Sequence, residues 1–205
     1  EAVEAGAAYG MPVVGNGDVL THYEANNFQE LSGCSSVMIG RGALIKPWIF
    51  HECRHQSTLT PTAEERVGIY RNLVANMKDH FHDDERGKRS AFYFLPWHFS
   101  FFCRYRPLPY DNYGEMAQEH PLIQSTRKID DELMDLEPLE RLLRIENEEA
   151  HQDIAQILWE ASSDAEATSR LKTLAESDQV KEWTERRPSR TATGDRGTRS
   201  DVDRG

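Results

Sequence analysis

Two short segments of this sequence combine glycines with one arginine in a pattern that can bind a phosphate group. Residues 15–18 (GNGD) and residues 40–42 (GRG) each follow a short apolar run. A phosphate dianion bound with few cations needs several backbone N–H groups directed at one point, and glycine permits this by removing side chains and allowing positive φ. Arg41 can add a positive charge, whereas Asp18 can only brace the loop or cap a turn. The alternative is that these glycines only form tight turns between strands and helices.

The segments around these glycines predict a strand, a helix and a second strand. The first apolar run is continuous, which is typical of a strand buried on both faces of a parallel sheet. Residues 21–31 place apolar side chains at helical spacing, and Thr21 with Glu24 matches a capping box. Gly33 ends this helix, and residues 36–39 form the second strand. A βαβ unit with a right-handed crossover is therefore expected.

The order of these parts matches the phosphate site of one particular fold. In (β/α)8 barrels that site is built by the loops after strands 7 and 8 and by the N-terminus of a short extra helix. The sequence supplies all three parts, because a short helix from Ala43, interrupted at Pro47, follows the second glycine loop. The pattern therefore favours a phosphate-binding edge over two unrelated turns.

A long amphipathic helix is predicted after Pro61. Thr62 and Glu65 match a second capping box, and apolar residues then recur at intervals of three and four. These apolar residues are Val67, Tyr70, Val74, Met77 and Phe81. Two further helical stretches, both with apolar positions, are predicted at residues 131–160 and 165–183.

Residues 92–105 form an aromatic segment that is bracketed by basic side chains. Pro96 is expected to kink a helix here or to reset its start. The members of one helical face are Phe92, Leu95, Phe99 and Phe102. The basic residues are Arg86, Lys88, Arg89, Arg104 and Arg106. Helical spacing favours burial of the rings in a core, while the charges can contact RNA phosphates, and both interpretations stay open for this segment. A loop is expected from residue 106 to about residue 114.

The net charge of −11 is concentrated in residues 130–182, so it does not exclude an anionic partner elsewhere on the chain. Residues 186–205 are rich in Ser, Thr, Gly, Arg and Asp, and we expect them to form a disordered tail. No apolar stretch reaches the roughly 18 residues that a membrane span needs, and no signal peptide is visible. We expect a soluble monomer of the cytoplasm, the nucleus or both, without membrane contact.

Neither a disulfide framework nor a metal site is predicted. Cys34, Cys53 and Cys103 are odd in number, far apart and without a CxxC pair, so we expect them to be buried or half-buried thiols. His51 and His55 lie four residues apart, but no third ligand has suitable spacing.

The wording of the glycine segments resembles a known family. "PVVGNGDV", followed about twenty residues later by "VMIGRGALIKPWIF", is similar to the end of the flavin-binding barrel of tRNA-dihydrouridine synthases. Residues 47–50 (PWIF) sharpen the resemblance, because other phosphate-binding barrels share the glycines but not this stretch. "FFCRYRP" and "LKTLAESDQVKEW" resemble the C-terminal helical part of the eukaryotic branch that also carries N-terminal zinc fingers.

The resemblance implies an α/β fold, with the last βα units of a flavin-binding (β/α)8 TIM barrel followed by an all-α helical domain that binds tRNA. On this basis residues 1–60 are the end of the barrel and residues 61–185 the helical domain, with an acidic insertion within residues 112–165. The implied reaction is reduction of the C5–C6 bond of a uridine in tRNA, with FMN as cofactor and NADPH as the ultimate donor.

The same resemblance assigns functional residues. It assigns the binding of the cofactor phosphate to Asn16, Gly17, Asp18, Gly40 and Arg41. The tRNA contacts predicted for the helical domain are Arg89, Arg104 and Arg106.

No catalytic residue carries over to this chain. The family protonates uracil with a cysteine in a Gly-Cys-Pro context, and no such tripeptide occurs here; Cys34 stands in Gly-Cys-Ser-Ser, away from the flavin loops. The chain also begins at Glu1 without a methionine. We therefore expect a C-terminal fragment that, in isolation, binds little FMN and shows no turnover. The alternatives are another flavin- or phosphate-binding TIM-barrel oxidoreductase and a truncated, non-catalytic RNA-binding module.

Overall fold

A computed structural model describes residues 1–125 and 133–185 of the chain, and the tail predicted at residues 186–205 lies outside these ranges. The described part contains two strands, β1 (Val14–Gly17) and β2 (Ser36–Ile39), and a short 3-10 helix (Leu133–Asp135). Its α-helices are α1 (Ala2–Ala8), α2 (His22–Ser32), α3 (Arg41–Ile45), α4 (Ile49–His55), α5 (Ala63–Phe81), α6 (Glu85–Ala91), α7 (Leu95–Phe102), α8 (Tyr110–Glu119), α9 (Leu122–Ser125), α10 (Pro138–Arg144), α11 (Glu148–Glu160), α12 (Asp164–Ala175) and α13 (Asp178–Glu185).

Strands β1 and β2 form a parallel pair joined by α2, which confirms the predicted βαβ unit. The burial on both faces that a continuous apolar run indicates is not observed in the described residues. Alternate residues of each strand are exposed, and Val14 and Met38 keep 58% and 52% of their surface accessible. The reason is that α2 covers one face of the sheet, while no described residue covers the other.

Two of the glycines in β1 are explained by packing. A Cβ atom on Gly17 would lie 2.8 Å from the ring of Phe28 in α2, and one on Gly15 would also collide with that ring. Real Cβ contacts are not this short, so the close approach of α2 to β1 requires glycine at both positions. At Gly15 and Gly17 the glycines therefore serve the contact between helix and sheet.

Helix α2 is capped by Thr21 at its start and by Gly33 at its end, as predicted, with Gly33 in the left-handed region at φ 69°. The Oγ1 atom of Thr21 accepts a hydrogen bond from Glu24 N at 3.3 Å. The predicted reciprocal bond is absent from the cap, because the Glu24 carboxylate accepts from Leu20 N at 3.0 Å instead. Only half of the first capping box is therefore formed.

The helical part begins with the second capping box, which is complete. Glu65 N donates to Thr62 Oγ1 at 3.2 Å and Thr62 N donates to Glu65 Oε2 at 2.8 Å. Val67, Tyr70 and Val74 of α5 point into a large apolar cluster. Residues of α7, α10, α11, α12 and α13 belong to the same cluster. This cluster confirms the predicted apolar face of α5.

The aromatic segment is divided by Pro96 as predicted, because α6 ends at Ala91 and α7 restarts at Leu95 with proline in its first turn. Leu95, Phe99 and Phe102 are buried in the core. The spacing therefore identified the core-facing residues correctly.

Three predicted boundaries differ from the structure. Helix α8 begins at Tyr110, inside the expected loop. The single helical stretches predicted at 131–160 and 165–183 are each divided, into α10 and α11 and into α12 and α13. Asn147 accounts for the first division, since its side chain accepts from Ala150 N at 3.0 Å and starts α11. The side chains of Leu142, Ile154 and Leu158 in the acidic segment lie in the main core.

The sheet part of the chain (residues 1–60) and the helical part (from residue 61 on) share a second apolar cluster. Leu20, Ile45 and Trp48 pack there against Tyr105, Leu108, Leu122 and Ile123. A polar contact crosses the same junction, because the buried Glu24 accepts a hydrogen bond from Leu122 N at 2.7 Å. Burial raises the pKa of Glu24 although its hydrogen bonds oppose the shift. The junction thus holds the strand ends against α9.

Candidate phosphate-binding site

The ends of the two strands lie side by side. Gly17 pairs with Ile39 at the last position of the parallel ladder, so the loops that leave β1 and β2 start from the same edge. Helix α3 begins at once after β2, with Gly40 as its N-cap and Arg41 as its first residue. Amide groups of a first helical turn have no acceptor within the helix. Residues 17–18 and 40–41, predicted as one site, are therefore brought together.

An ion pair between Asp18 and Arg41 connects the two loops. The second carboxylate oxygen of Asp18 accepts from Gln124 Nε2 at 2.8 Å. The Gln124 hydrogen bond lowers the pKa of Asp18 most, ahead of the Arg41 contributions and against the effect of burial. Asp18 is mostly covered, with 19% of its side chain accessible, whereas the Arg41 side chain is 61% exposed. Asp18 therefore positions Arg41, whose guanidinium stays open to solvent.

Gln124 was not predicted from the sequence. It stands 106 residues after Asp18, on the four-residue helix α9, and no local motif marks it. Its position follows from α9 packing, because Leu122 and Ile123 are buried in the junction cluster. Arg104 is also near, since its charge lowers the pKa of Asp18 and its Nη2 donates to Ile123 O at 3.4 Å.

The glycines of the two loops differ in the space around them. A Cβ atom on Gly40 would meet no atom within 4 Å, while one on Gly42 would collide with the carbonyl oxygen of Val19. Asn16 lies on the exposed face of β1, opposite the face that Gly17 turns to Phe28. Gly40 and Arg41 therefore leave open room beside a guanidinium and free amides, which suits an anionic group.

Comparison with known proteins decides the family. The sequence model described as "Dihydrouridine synthase (Dus)" matches residues 3–130, which include both glycine loops, Arg104 and Gln124. The chain belongs to the dihydrouridine synthase family.

Curated relatives of this chain carry two closely similar descriptions. The "tRNA-dihydrouridine(47) synthase [NAD(P)(+)]-like" protein of Oryza sativa is 42% identical over 99 residues, covering 47% of this chain and 14% of that protein. The human protein of that description is 38% identical over 102 residues, covering 50% and 16%. The "tRNA-dihydrouridine(47) synthase [NAD(P)(+)]" of Scheffersomyces stipitis is 44% identical over 95 residues, covering 46% and 16%. The match thus spans about one sixth of these relatives' length. No solved structure gives a significant match to this chain.

The stretch at residues 47–50 that distinguished the dihydrouridine synthases has a structural role. Trp48 is buried, packs edge-on against Tyr105 at 4.9 Å and donates from Nε1 to Leu59 O at 3.2 Å. Just before it, Lys46 forms a buried ion pair of 2.7 Å with Glu52. Burial lowers the pKa of Lys46 while Glu52 opposes that shift. These contacts therefore fix the segment between α3 and α4 against Leu59 and Tyr105.

The three arginines predicted to contact RNA lie in different settings. Arg89 is exposed on α6. Arg104 and Arg106 are half-buried, and Arg106 Nη1 donates to Cys103 O at 3.0 Å and to Tyr105 O at 2.8 Å. The Arg106 guanidinium therefore supports the backbone after α7, whereas that of Arg104 donates to Ile123 O on α9. The contact of the three arginines with RNA stays a prediction.

A metal centre is absent from the described part of this dihydrouridine synthase chain, where no three histidine, cysteine or acidic side chains are grouped to hold an ion. The rings of His51 and His55 lie 4.2 Å apart without a third ligand. The three cysteines are free; Cys34 and Cys103 are buried and Cys53 is half-buried, as predicted. Across residues 1–125 and 133–185, no helix has both the length and the apolar character for a bilayer crossing.

Proposed function

We propose that this chain forms the phosphate-binding end of the FMN site, with the adjoining tRNA-binding helical domain, in a tRNA-dihydrouridine synthase. One observation carries the proposal. Two adjacent strand ends in a dihydrouridine synthase chain place the exposed, Asp18-braced Arg41 beside the open space at Gly40. That arrangement fits a phosphate group better than a neutral ligand, since a guanidinium and backbone amides both donate to phosphate oxygens.

Within this proposal the residues of the chain bind and orient the cofactor. Arg41 and the first amides of α3 hold the phosphate, Asp18 fixes Arg41, and Gln124 fixes Asp18. Asn16 and Gly17 contribute the adjoining backbone of β1. Reduced FMN, when bound, would supply the hydride that adds to the C5–C6 bond of uridine, a general acid other than the residues named here would supply the proton, and NADPH would restore the reduced flavin.

The relatives' names refine the substrate and donor. They are described as tRNA-dihydrouridine(47) synthases with NAD(P)(+), so we extend uridine 47 of tRNA and NADPH to this chain as proposals. The zinc-finger-bearing eukaryotic branch, a monomeric state and a place in the cytoplasm, the nucleus or both belong to the same proposal.

The tRNA contact is proposed for the helical part. Arg89 is exposed on α6, and Arg104 lies close enough to Asp18 to influence its pKa. Phosphate contacts from these arginines would place tRNA next to the flavin edge, which the reaction requires. Arg106 would contribute from the same backbone segment as Arg104.

The flavin assignment is tested in the full-length protein by substituting Arg41. Arg41→Ala should release FMN during gel filtration and abolish dihydrouridine formation in tRNA that lacks it. Arg54→Ala is a matched control, because Arg54 is an exposed arginine on α4, away from the strand ends. Full retention of FMN by Arg41→Ala would refute the assignment of the phosphate site to this edge of the sheet.

A further inference from the structure

The aromatic segment has a second face that the core does not use. Leu95, Phe99 and Phe102 point into the helical core, but Tyr93, Phe94 and Trp97 keep 79%, 44% and 48% of their surface accessible. We call these three residues the outer aromatic surface. Large rings exposed next to one another are costly in water unless a partner covers them.

The exposed rings are held by neighbours rather than left loose. Tyr93 and Phe94 meet edge-on with centroids 5.0 Å apart, and Trp97 meets Phe101 at 4.9 Å with the ring planes at 67°. Phe101 is half-buried against the junction cluster. Edge-on packing fixes a ring while leaving much of its face accessible, so the surface is arranged before any partner arrives.

Two exposed arginines lie shortly before these rings in the chain. Arg86 and Arg89 are exposed one turn apart on α6, and Tyr93 lies in the turn that follows this helix. Neither guanidinium forms an ion pair with a described residue, whereas Arg71, Arg170 and Lys172 elsewhere all pair with carboxylates. The nearby Asp84 is engaged in capping Gly87 N at 2.7 Å.

We propose that the outer aromatic surface binds unpaired nucleotides, with bases stacked on Tyr93 and Trp97 and backbone phosphates on Arg86 and Arg89. Every base offers a flat face to an aromatic ring, and arginines along one side neutralise the phosphates that connect the bases. A purely apolar protein partner would leave both arginines without an opposite charge. The identity of the RNA as tRNA rests on the proposed function, while the chemistry of unpaired nucleotides rests on this surface.

The surface contains its own spectroscopic probe. Trp48, Trp159 and Trp183 are buried at 7%, 5% and 4% exposure, so Trp97 alone among the four tryptophans faces solvent. Titration of the 205-residue chain with a single-stranded oligouridylate, and separately with tRNA, should quench Trp97 fluorescence. Base stacking on Trp97 predicts quenching by both RNAs.

Substitutions separate stacking from charge. Trp97→Leu and Tyr93→Ala should each weaken binding roughly tenfold without changing its salt dependence, since stacking releases no counterions. Arg89→Ala should weaken binding and reduce the slope of log K against log salt by about 1. Phe50→Ala is the matched control, because Phe50 is a 56% exposed ring on α4, away from this surface. Its binding should equal that of the unsubstituted chain, and anisotropy of labelled RNA provides the constants for all variants.

The outcomes distinguish this inference from the proposed function. Unchanged affinity in Trp97→Leu and Tyr93→Ala, with weakened binding in Arg89→Ala, would refute stacking and leave the tRNA contact standing. Absence of binding to either RNA by the unsubstituted chain would refute both. Loss of self-association in Trp97→Leu, seen by sedimentation with RNA affinity unchanged, would assign the surface to a protein contact and overturn the inference.

Discussion

The helical part and the sheet part of this molecule bury their apolar residues to different extents. Helices α5, α7 and α10–α13 close around one continuous apolar cluster. The two-stranded sheet buries one face under α2 and leaves Val14 and Met38 of the other face in solvent. The helical part therefore has a core of its own within the described residues, whereas the sheet with the proposed phosphate site is covered there on one face only.

This difference shows how the strand ends are kept in place. Two short strands alone are marginal in water, so the sheet depends on its attachment to the helices. The attachments are specific: the Glu24 bond to Leu122 N, the Gln124 bond to Asp18, and the Trp48 contact with Tyr105. The strand edge proposed to bind phosphate is thus positioned by the helical part as much as by its own strands.

The largest expected effect comes from the buried ion pair of the sheet part. Lys46→Ala leaves the Glu52 carboxylate buried without its partner, which costs about 3–5 kcal/mol of unfolding free energy. Urea denaturation followed by circular dichroism measures this loss.

The double variant Lys46→Met with Glu52→Gln is the control for that prediction. It removes both charges and keeps an acceptor for Leu59 N, so most of the stability should return. A loss below about 1 kcal/mol in Lys46→Ala would mean that the sheet part contributes little to the cooperative fold.

The second prediction compares the two apolar surfaces directly. Leu158 is fully buried in the helical core, so Leu158→Ala should cost about 2–5 kcal/mol. Met38→Ala on the open sheet face should change stability by less than about 0.5 kcal/mol in the 205-residue chain. Thermal and urea unfolding measure both, and equal losses would show that the sheet face is covered.

The third prediction concerns the junction. Glu24→Ala removes the acceptor of Leu20 N and Leu122 N and should cost about 2–3 kcal/mol, while Glu24→Gln, which keeps one carbonyl oxygen, should cost about 1 kcal/mol. Burial raises the folded-state pKa of Glu24, so its protonated form is favoured on folding. The stability of the unsubstituted chain relative to Glu24→Gln should therefore fall as the pH rises through that raised pKa. A difference that grows with pH would contradict the burial of this carboxylate.

The smallest expected effect is at the phosphate loop. Gln124→Ala should raise the pKa of Asp18 toward its ordinary value, because the Gln124 amide is the main cause of its lowering. NMR titration of the Asp18 carboxyl carbon measures the shift, with the exposed Gln118→Ala as control. Since the folded-state pKa lies below the unfolded one, the stabilising effect is present at neutral pH and is lost as the pH falls through the folded pKa. An unchanged Asp18 pKa in Gln124→Ala would show that Gln124 on α9 does not hydrogen-bond Asp18.

Local patterns in the sequence predicted the elements well where one segment decides them. Thr62 and Glu65 form their capping box within a single turn, and the spacing of Leu95, Phe99 and Phe102 identifies the buried face of α7. The strand, helix and strand around the glycines were also recognisable.

Contacts between distant segments could not be predicted. The sequence pattern around Gly15 and Gly17 predicted a phosphate loop. The structure shows that both positions must be glycine because the ring of Phe28 packs against them. The Glu24 carboxylate accepts from Leu20 N and from Leu122 N, and Leu122 is 98 residues away in the chain. Gln124 reaches Asp18 only because α9 packs against the junction, and one helix of four residues carries no signal of that.

Hydrogen exchange of the 205-residue chain tests most directly whether a self-sufficient helical part holds in place a sheet that is covered on one face only. The buried helices α5 and α11 should exchange only through global unfolding, while the amides of β1 and β2 should exchange through smaller openings and much faster. Glu24→Ala should speed exchange in the strands and leave α11 unchanged apart from the global loss. Equal protection of the strands and of α5 would contradict the account, because it would show a sheet as complete as the helical core.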